Sequence, residues 1–201
     1  MLIPTKQCYV GVLMFVFATT AFAAGSDTRA EKNVSWYQRF GVYVGSGVGI
    51  IKGESNDAFD KDIQFKAGEV FAGAYWRWIG FEFRTGQSFQ DESFTESRDP
   101  DTGFPRTADA SLTDYNSVYL RLQLQNDIAR IYALTGTSNA NTTATFRDGS
   151  KSEKSGTGDA FGVGLGLQIN DNLSFNLETK YLLKSDSDNF FMSGFTLEFR
   201  L

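Results

Sequence analysis

Phe195-Thr196-Leu197-Glu198-Phe199-Arg200-Leu201 closes the chain, and the alternation within it decides the fold. Phe195, Leu197, Phe199 and Leu201 are apolar at every second position, with Thr196, Glu198 and Arg200 between them. Successive side chains of a strand point to opposite faces, so this is a two-sided β-strand that runs to the last residue. In water, an apolar edge of this kind is a template for aggregation. It is satisfied when the last strand pairs with the first, closing a barrel, and the apolar face meets lipid.

Seven further strands are read upstream. They are Tyr37–Ile51, Lys66–Trp78, Phe81–Phe89, Tyr115–Gln125, Ala129–Thr137, Ala160–Ile169 and Leu173–Leu183, with the last spanning Phe190–Leu201. Tyr115–Gln125 is the clearest of these, setting Val118, Leu120, Leu122 and Leu124 against Tyr119, Arg121, Gln123 and Gln125. Short links near 79–80, 126–128 and 170–172 alternate with long polar ones near 52–65, 90–114 and 138–159, and a shorter one at 184–189. The fold expected is all-β, an eight-stranded antiparallel up-and-down transmembrane barrel with short turns at one end and longer loops at the other. Mean hydropathy is only −0.27, which suits a barrel wall whose lipid-facing and inward residues average out.

Nine charged residues fall on the face opposite the apolar one: Glu69, Arg77, Glu82, Arg84, Arg121, Glu178, Lys180, Glu198 and Arg200. A lipid-facing Arg or Lys costs about 2–4 kcal/mol at the membrane midplane. Nine charges there would cancel a typical stability of about 5–15 kcal/mol, so this face must point inward. Charges buried together must pair, and four acids against five bases allow an internal network. Glycines on the same face, such as Gly45, Gly73 and Gly164, make room for the long side chains. Trp36, Tyr37, Trp76, Trp78, Phe81, Tyr181, Phe190 and Phe191, near strand ends, suit aromatic girdles at the two membrane interfaces. The glycine-rich stretch Gly45-Ser46-Gly47-Val48-Gly49 is no nucleotide loop: Ile50 stands where a third glycine belongs, and no helix follows.

The other end reads as an export signal. Lys6 precedes the apolar run Tyr9–Ala18, and Ala21-Phe22-Ala23 is a small-residue cleavage site, so residues 1–23 are expected to be removed. The run is short for a membrane span. Thr5-Lys6-Gln7 before Cys8, the only cysteine, is no lipoprotein box. Residues 24–35 read as a lead-in, and 36–201 as the barrel domain. Loss of Lys6 takes the formal net charge from −5 to −6. An acidic chain without clustered bases argues against nucleic acid as a partner.

The chain has no histidine. That removes the usual general base near neutral pH, the commonest metal ligand and any Ser-His-Asp device. No catalytic residue, metal site or cofactor is expected. Asp57, Asp60 and Asp62 in one acidic loop lack the spacing and glycine of a calcium loop.

The stretches FGVYVGSGVG, GAYWRWIGFEF, ARIYALTG, AFGVGLGLQINDNLSFNLETKYL and the closing SGFTLEFRL together resemble the small eight-stranded outer-membrane barrels. These form the porin family, or outer membrane protein β-barrel domain family, akin to OmpX/Ail, the OmpA membrane domain and the opacity proteins. The resemblance covers about residues 36–201. It implies a monomer in the Gram-negative outer membrane, in contact with its lipid and lipopolysaccharide. It implies assembly by the barrel assembly machinery through Phe195, Leu197, Phe199 and Leu201. This chain departs from the family habit of ending in Phe. The resemblance further implies a non-enzymatic role in envelope integrity, adhesion or serum resistance, with host surface proteins as loop partners. Barrel enzymes of the outer membrane bring a catalytic histidine that is absent here. A small-solute pore is one alternative. Another is a soluble lipocalin-like carrier, which would hold the apolar face inside around a ligand.

Overall fold

The computed structural model describes residues 40–55, 63–90, 92–96, 106–126, 128–184 and 188–201. The expected signal and lead-in, Trp36, Tyr37 and the loop aspartates 57, 60 and 62 lie outside the described residues. Nine strands follow in order: β1 Phe40–Ser55, β2 Ile63–Trp76, β3 Ile79–Ser88, β4 Glu92–Glu96, β5 Arg106–Gln125, β6 Ala129–Phe146, β7 Lys151–Gln168, β8 Leu173–Lys184 and β9 Asp188–Arg200. All nine lie in one antiparallel sheet in the order β3-β2-β1-β9-β8-β7-β6-β5-β4, with β3 also pairing β5. The sheet closes where β1 meets β9, in register from Tyr43↔Arg200 to Ser55↔Asp188. β3 and β4 pair successive stretches of β5, Tyr115–Leu122 and Arg106–Ala110. They therefore share one position in the wall, and the barrel has eight staves.

The pleat sorts the side chains as the alternation demands. Phe81, Leu124, Leu165, Leu167 and Phe195 lie on the outer surface, each more than half exposed. Tyr43, Glu82, Arg84, Tyr119 and Arg121 are buried inside. A lipocalin arrangement, apolar within and charged without, is the reverse of this. Outside, Phe175 and Phe195 stack with ring centroids 5.5 Å apart, and Phe161, Tyr181 and Phe191 form a second aromatic row.

The strands at the long-loop end are longer than alternation suggests. Residues 138–159 are mostly strand: β6 and β7 pair out to Thr145↔Lys151 around a tight turn at Arg147–Ser150, where Gly149 takes φ 85°. β5 likewise begins at Arg106, inside the expected loop. The β6 and β7 extensions carry no hydrophobic period, so nothing in their pattern marks them as strands, whereas in β5 Ala108, Ala110 and Leu112 do alternate and turn inward. Side-chain pairs hold them instead: Thr113 with Thr143 (2.8 Å), Asn141 with Asp114 (2.7 Å), and Asn139 with Thr157 (3.0 Å). Pairing of β7 with β8 reaches only to Asp159↔Lys184. The β6–β7 hairpin thus stands above the β8 side of the wall by eight residues, or about 26 Å at the strand rise.

Inside, the barrel is filled in layers. Ile51, Phe65, Leu112, Leu182, Leu183 and Phe190 form an apolar plug toward the long-loop end. The charged layer lies beneath it. Tyr43, Phe71 and Tyr75 pack together toward the short turns.

Candidate functional site: the enclosed charge network

Alternation places charged side chains on the inner faces of β2, β3, β5, β6, β8 and β9, and barrel closure brings them together. Glu69 of β2 accepts from Lys180 Nζ at 2.6 and 2.7 Å, from Arg84 Nη1 at 2.8 Å and from the Tyr115 hydroxyl at 2.6 Å. Glu178 of β8 takes both prongs of Arg84, Nη1 at 2.5 Å and Nη2 at 2.8 Å, together with the Tyr132 hydroxyl. Glu82 of β3 accepts from Arg84 Nε, from Arg121 Nη1 at 3.0 Å and from the Tyr43 hydroxyl at 2.7 Å. Glu198 of β9 accepts from Arg121 Nη1 at 3.0 Å and from Arg130, with Arg200 Nε at 3.8 Å.

Aromatic rings line the gaps. Arg84 lies 4.6 Å above the Phe71 ring. Arg121 sits between Tyr132 at 4.0 Å and Tyr43 at 4.9 Å. Such contacts strengthen when desolvated. Glycines provide the clearance: a Cβ at Gly164 would fall within the Tyr132 ring, and one at Gly73 would fall on the Tyr43 ring.

The structure brings together Glu69, Glu82, Arg84, Arg121, Glu178, Lys180, Glu198 and Arg200, all at most 8 % exposed. Arg77 does not join them. β2 ends at Trp76, so Arg77 is the first residue of a two-residue turn, exposed, with φ 60° and its guanidinium 4.8 Å from the Trp76 ring. Arg130, missed in the sequence, takes the fifth cationic place: its Nε and Nη2 donate to Asn176 Oδ1 at 3.1 and 2.6 Å, and its Nη1 to Glu198. The signal was available in Ile131, which is outward and so sends Arg130 and Tyr132 inward. Phe190 is a second correction. It is buried in the plug rather than placed in a girdle, while Trp76, Trp78 and Phe81 are exposed toward the short turns. In the terminal strand Phe195, Leu197 and Leu201 are exposed on the lipid-facing side and Phe199 is half-buried.

Chemically, the carboxylates of this network are spent within it: each is held by at least two cations or hydroxyls. Among the described residues, no cluster of three or more His, Cys, Asp or Glu is arranged to hold a metal ion.

Comparison with known proteins agrees with this architecture. The profile of the family described as "Outer membrane protein beta-barrel domain" matches residues 11–200. No curated protein matches the chain by sequence. Among solved structures, Ail, the attachment invasion locus protein of Yersinia pestis, solved in complex with the heparin analogue sucrose octasulfate, aligns with a TM-score of 0.59 at 15 % identity, covering 82 % of this chain and 100 % of that one. Neisserial surface protein A aligns at 0.59 and 12 % identity over 80 % of this chain and 97 % of that one. The N-terminal β-barrel domain of Pseudomonas aeruginosa OprF aligns at 0.52 and 13 % identity, over 82 % and 98 %. At these identities the likeness is one of fold.

Proposed function

The chain belongs to the outer membrane protein β-barrel domain family, and from that membership we propose that it is a non-enzymatic barrel whose work is done at its long-loop end, supporting the envelope and contacting surfaces outside the cell. The observation that carries this reading is an asymmetry. The interior is shut by paired charges and an apolar plug, while the β6–β7 hairpin rises above the wall and offers polar side chains to solvent. A barrel built for permeation would keep a water-filled interior. In this reading residues 1–23 direct export, and Phe195, Leu197, Phe199 and Leu201 present the terminal strand to the barrel assembly machinery. The outer belt sits in lipid and lipopolysaccharide, a monomer suffices, and host surface proteins are the partners of the projecting strands.

The test is to replace Thr142–Lys154 with an Asn-Gly turn, which suits a two-residue hairpin. The shortened protein is expected to keep its heat-modifiable gel shift in the outer-membrane fraction while losing adhesion to host cells and survival in serum. Full adhesion and survival after shortening would overturn the reading. So would steady conductance of the purified protein in planar bilayers, which would favour a pore.

A further inference from the structure

Two of the enclosed guanidinium groups are fully engaged: every nitrogen of Arg84 and of Arg130 donates to a carboxylate or to Asn176. Arg121 is different. It is 1 % exposed, yet only Nη1 is used, bridging Glu82 and Glu198. Its Nε and Nη2 have no hydrogen-bond partner among the described residues. Those two nitrogens form the side-on edge of the guanidinium, a fork of parallel N–H donors shaped for an anion. An inward neighbour on β5 shares the condition. Both amide atoms of Gln123, the next inward side chain, are buried without a partner among the described residues. Buried polar groups are almost always satisfied, so two successive inward side chains, Arg121 and Gln123, present donors that call for an acceptor.

The charge count points to its sign. Among the described residues the enclosed acids are Glu69, Glu82, Glu178 and Glu198, and the enclosed bases are Arg84, Arg121, Arg130, Lys180 and Arg200. Four against five leaves one positive charge in a medium that tolerates none unpaired. The excess falls toward the short turns, where Arg121, Arg130 and Arg200 converge on Glu198. We propose that the barrel interior holds one small monovalent anion of halide type on the Nε/Nη2 edge of Arg121, with Gln123, two residues on along the same inward face of β5, supplying a further donor. A halide, smaller than a phosphate or carboxylate, suits an interior in which the Tyr43 and Tyr132 rings already lie 4.9 and 4.0 Å from the guanidinium carbon.

The test uses the refolded mature chain in detergent micelles. Crystals grown with sodium bromide and measured at the bromine edge are expected to show an anomalous peak within hydrogen-bond distance of Arg121 Nε and Nη2. At constant ionic strength, the unfolding midpoint is expected to be higher in chloride or bromide than in gluconate, which is too large to enter. Gln123→Glu supplies a built-in anion and Arg121→Lys removes the fork. Each is expected to abolish the halide dependence in protein that still shows the gel shift. The proposal is overturned if no peak appears and the midpoint is the same in both salts, or if density on that edge is only water or a carboxylate of this chain. A halide effect that survives both substitutions would belong to the outer surface and would overturn it equally. The wild-type comparison decides the matter even where a variant fails to fold.

Discussion

Arg84 and Glu178 meet across the barrel from β3 and β8 in a two-pronged ion pair, Nη1 to Oε2 at 2.5 Å and Nη2 to Oε1 at 2.8 Å, though 94 positions separate them in the chain. Both are buried; Glu178 is held besides by the Tyr132 hydroxyl and Lys180, and Arg84 by Glu69 and Glu82. The pair is therefore a closure device. It cannot form until both halves of the wall are in place, and once formed it ties them together.

Breaking that pair from one side leaves a buried charge without its partner, which typically costs about 3–5 kcal/mol. Arg84→Leu is expected to cost at least that much, because Glu69, Glu82 and Glu178 all lose a cation. Urea unfolding in lipid vesicles, followed by tryptophan fluorescence, measures it. Arg84→Leu combined with Glu178→Leu should cost less than the two single changes added together, since the double change removes both charges. Strict additivity would show that the pair is not coupled.

Leu165 sits in the middle of the outer belt and Ser152 on the projecting hairpin, both exposed on the same strand, β7. Leu165→Arg is expected to cost about 2–4 kcal/mol or to block assembly, as a charge at the midplane does. Ser152→Arg is expected to stay within about 0.5 kcal/mol, as ordinary surface changes do. Equal effects at the two positions would place the membrane boundary wrongly.

Gly164 holds open the space that the Tyr132 ring occupies. Gly164→Val is expected to cost about 1–3 kcal/mol, the usual penalty of overpacking, and to displace the Tyr132 hydroxyl from Glu178. The gain or loss of that hydrogen bond is visible in the ultraviolet difference spectrum of the tyrosine. A neutral result would mean that the ring has another place to go.

Arg77, with φ 60°, occupies a left-handed turn position that costs a side-chain-bearing residue about 1–2 kcal/mol. Its contact with Trp76 returns about 0.5–1 kcal/mol. Arg77→Gly is accordingly expected to be neutral or to stabilise by up to about 1 kcal/mol in chemical denaturation. A clear destabilisation would assign Arg77 an attachment beyond the Trp76 ring.

The sequence is informative where one face meets lipid and the other meets charge. The alternation of Leu173–Lys180 and of Phe195–Leu201 survives intact into β8 and β9 because every second residue there is forced outward into an apolar phase. It fails where that phase ends. Above the belt, Asn139–Thr145 and Lys151–Thr157 have polar partners on both sides, so strand and loop look the same in one dimension. It also fails where the period slips. The register shift between Tyr181 and Leu183 turns Leu182 and Leu183 inward together, and Phe190, opposite Leu183, follows them into the plug. Arg77 fails differently: a two-residue turn stops β2 one position before it, so the parity that would have sent it inward no longer applies. The charge partners were beyond reach altogether, because which Arg meets which Glu depends on the stagger of eight staves and not on neighbours in the chain.

The seam between β1 and β9 gives the molecule an all-or-nothing character in biosynthesis. Tyr43, among the first wall residues made, waits for Arg200, one of the last, and neither edge has a substitute partner in between. A chain cut short anywhere in β9 is therefore not a slightly smaller barrel but an open sheet with two bare edges. The cell would have to discard it, so the codons of β9 govern whether those of the preceding strands count.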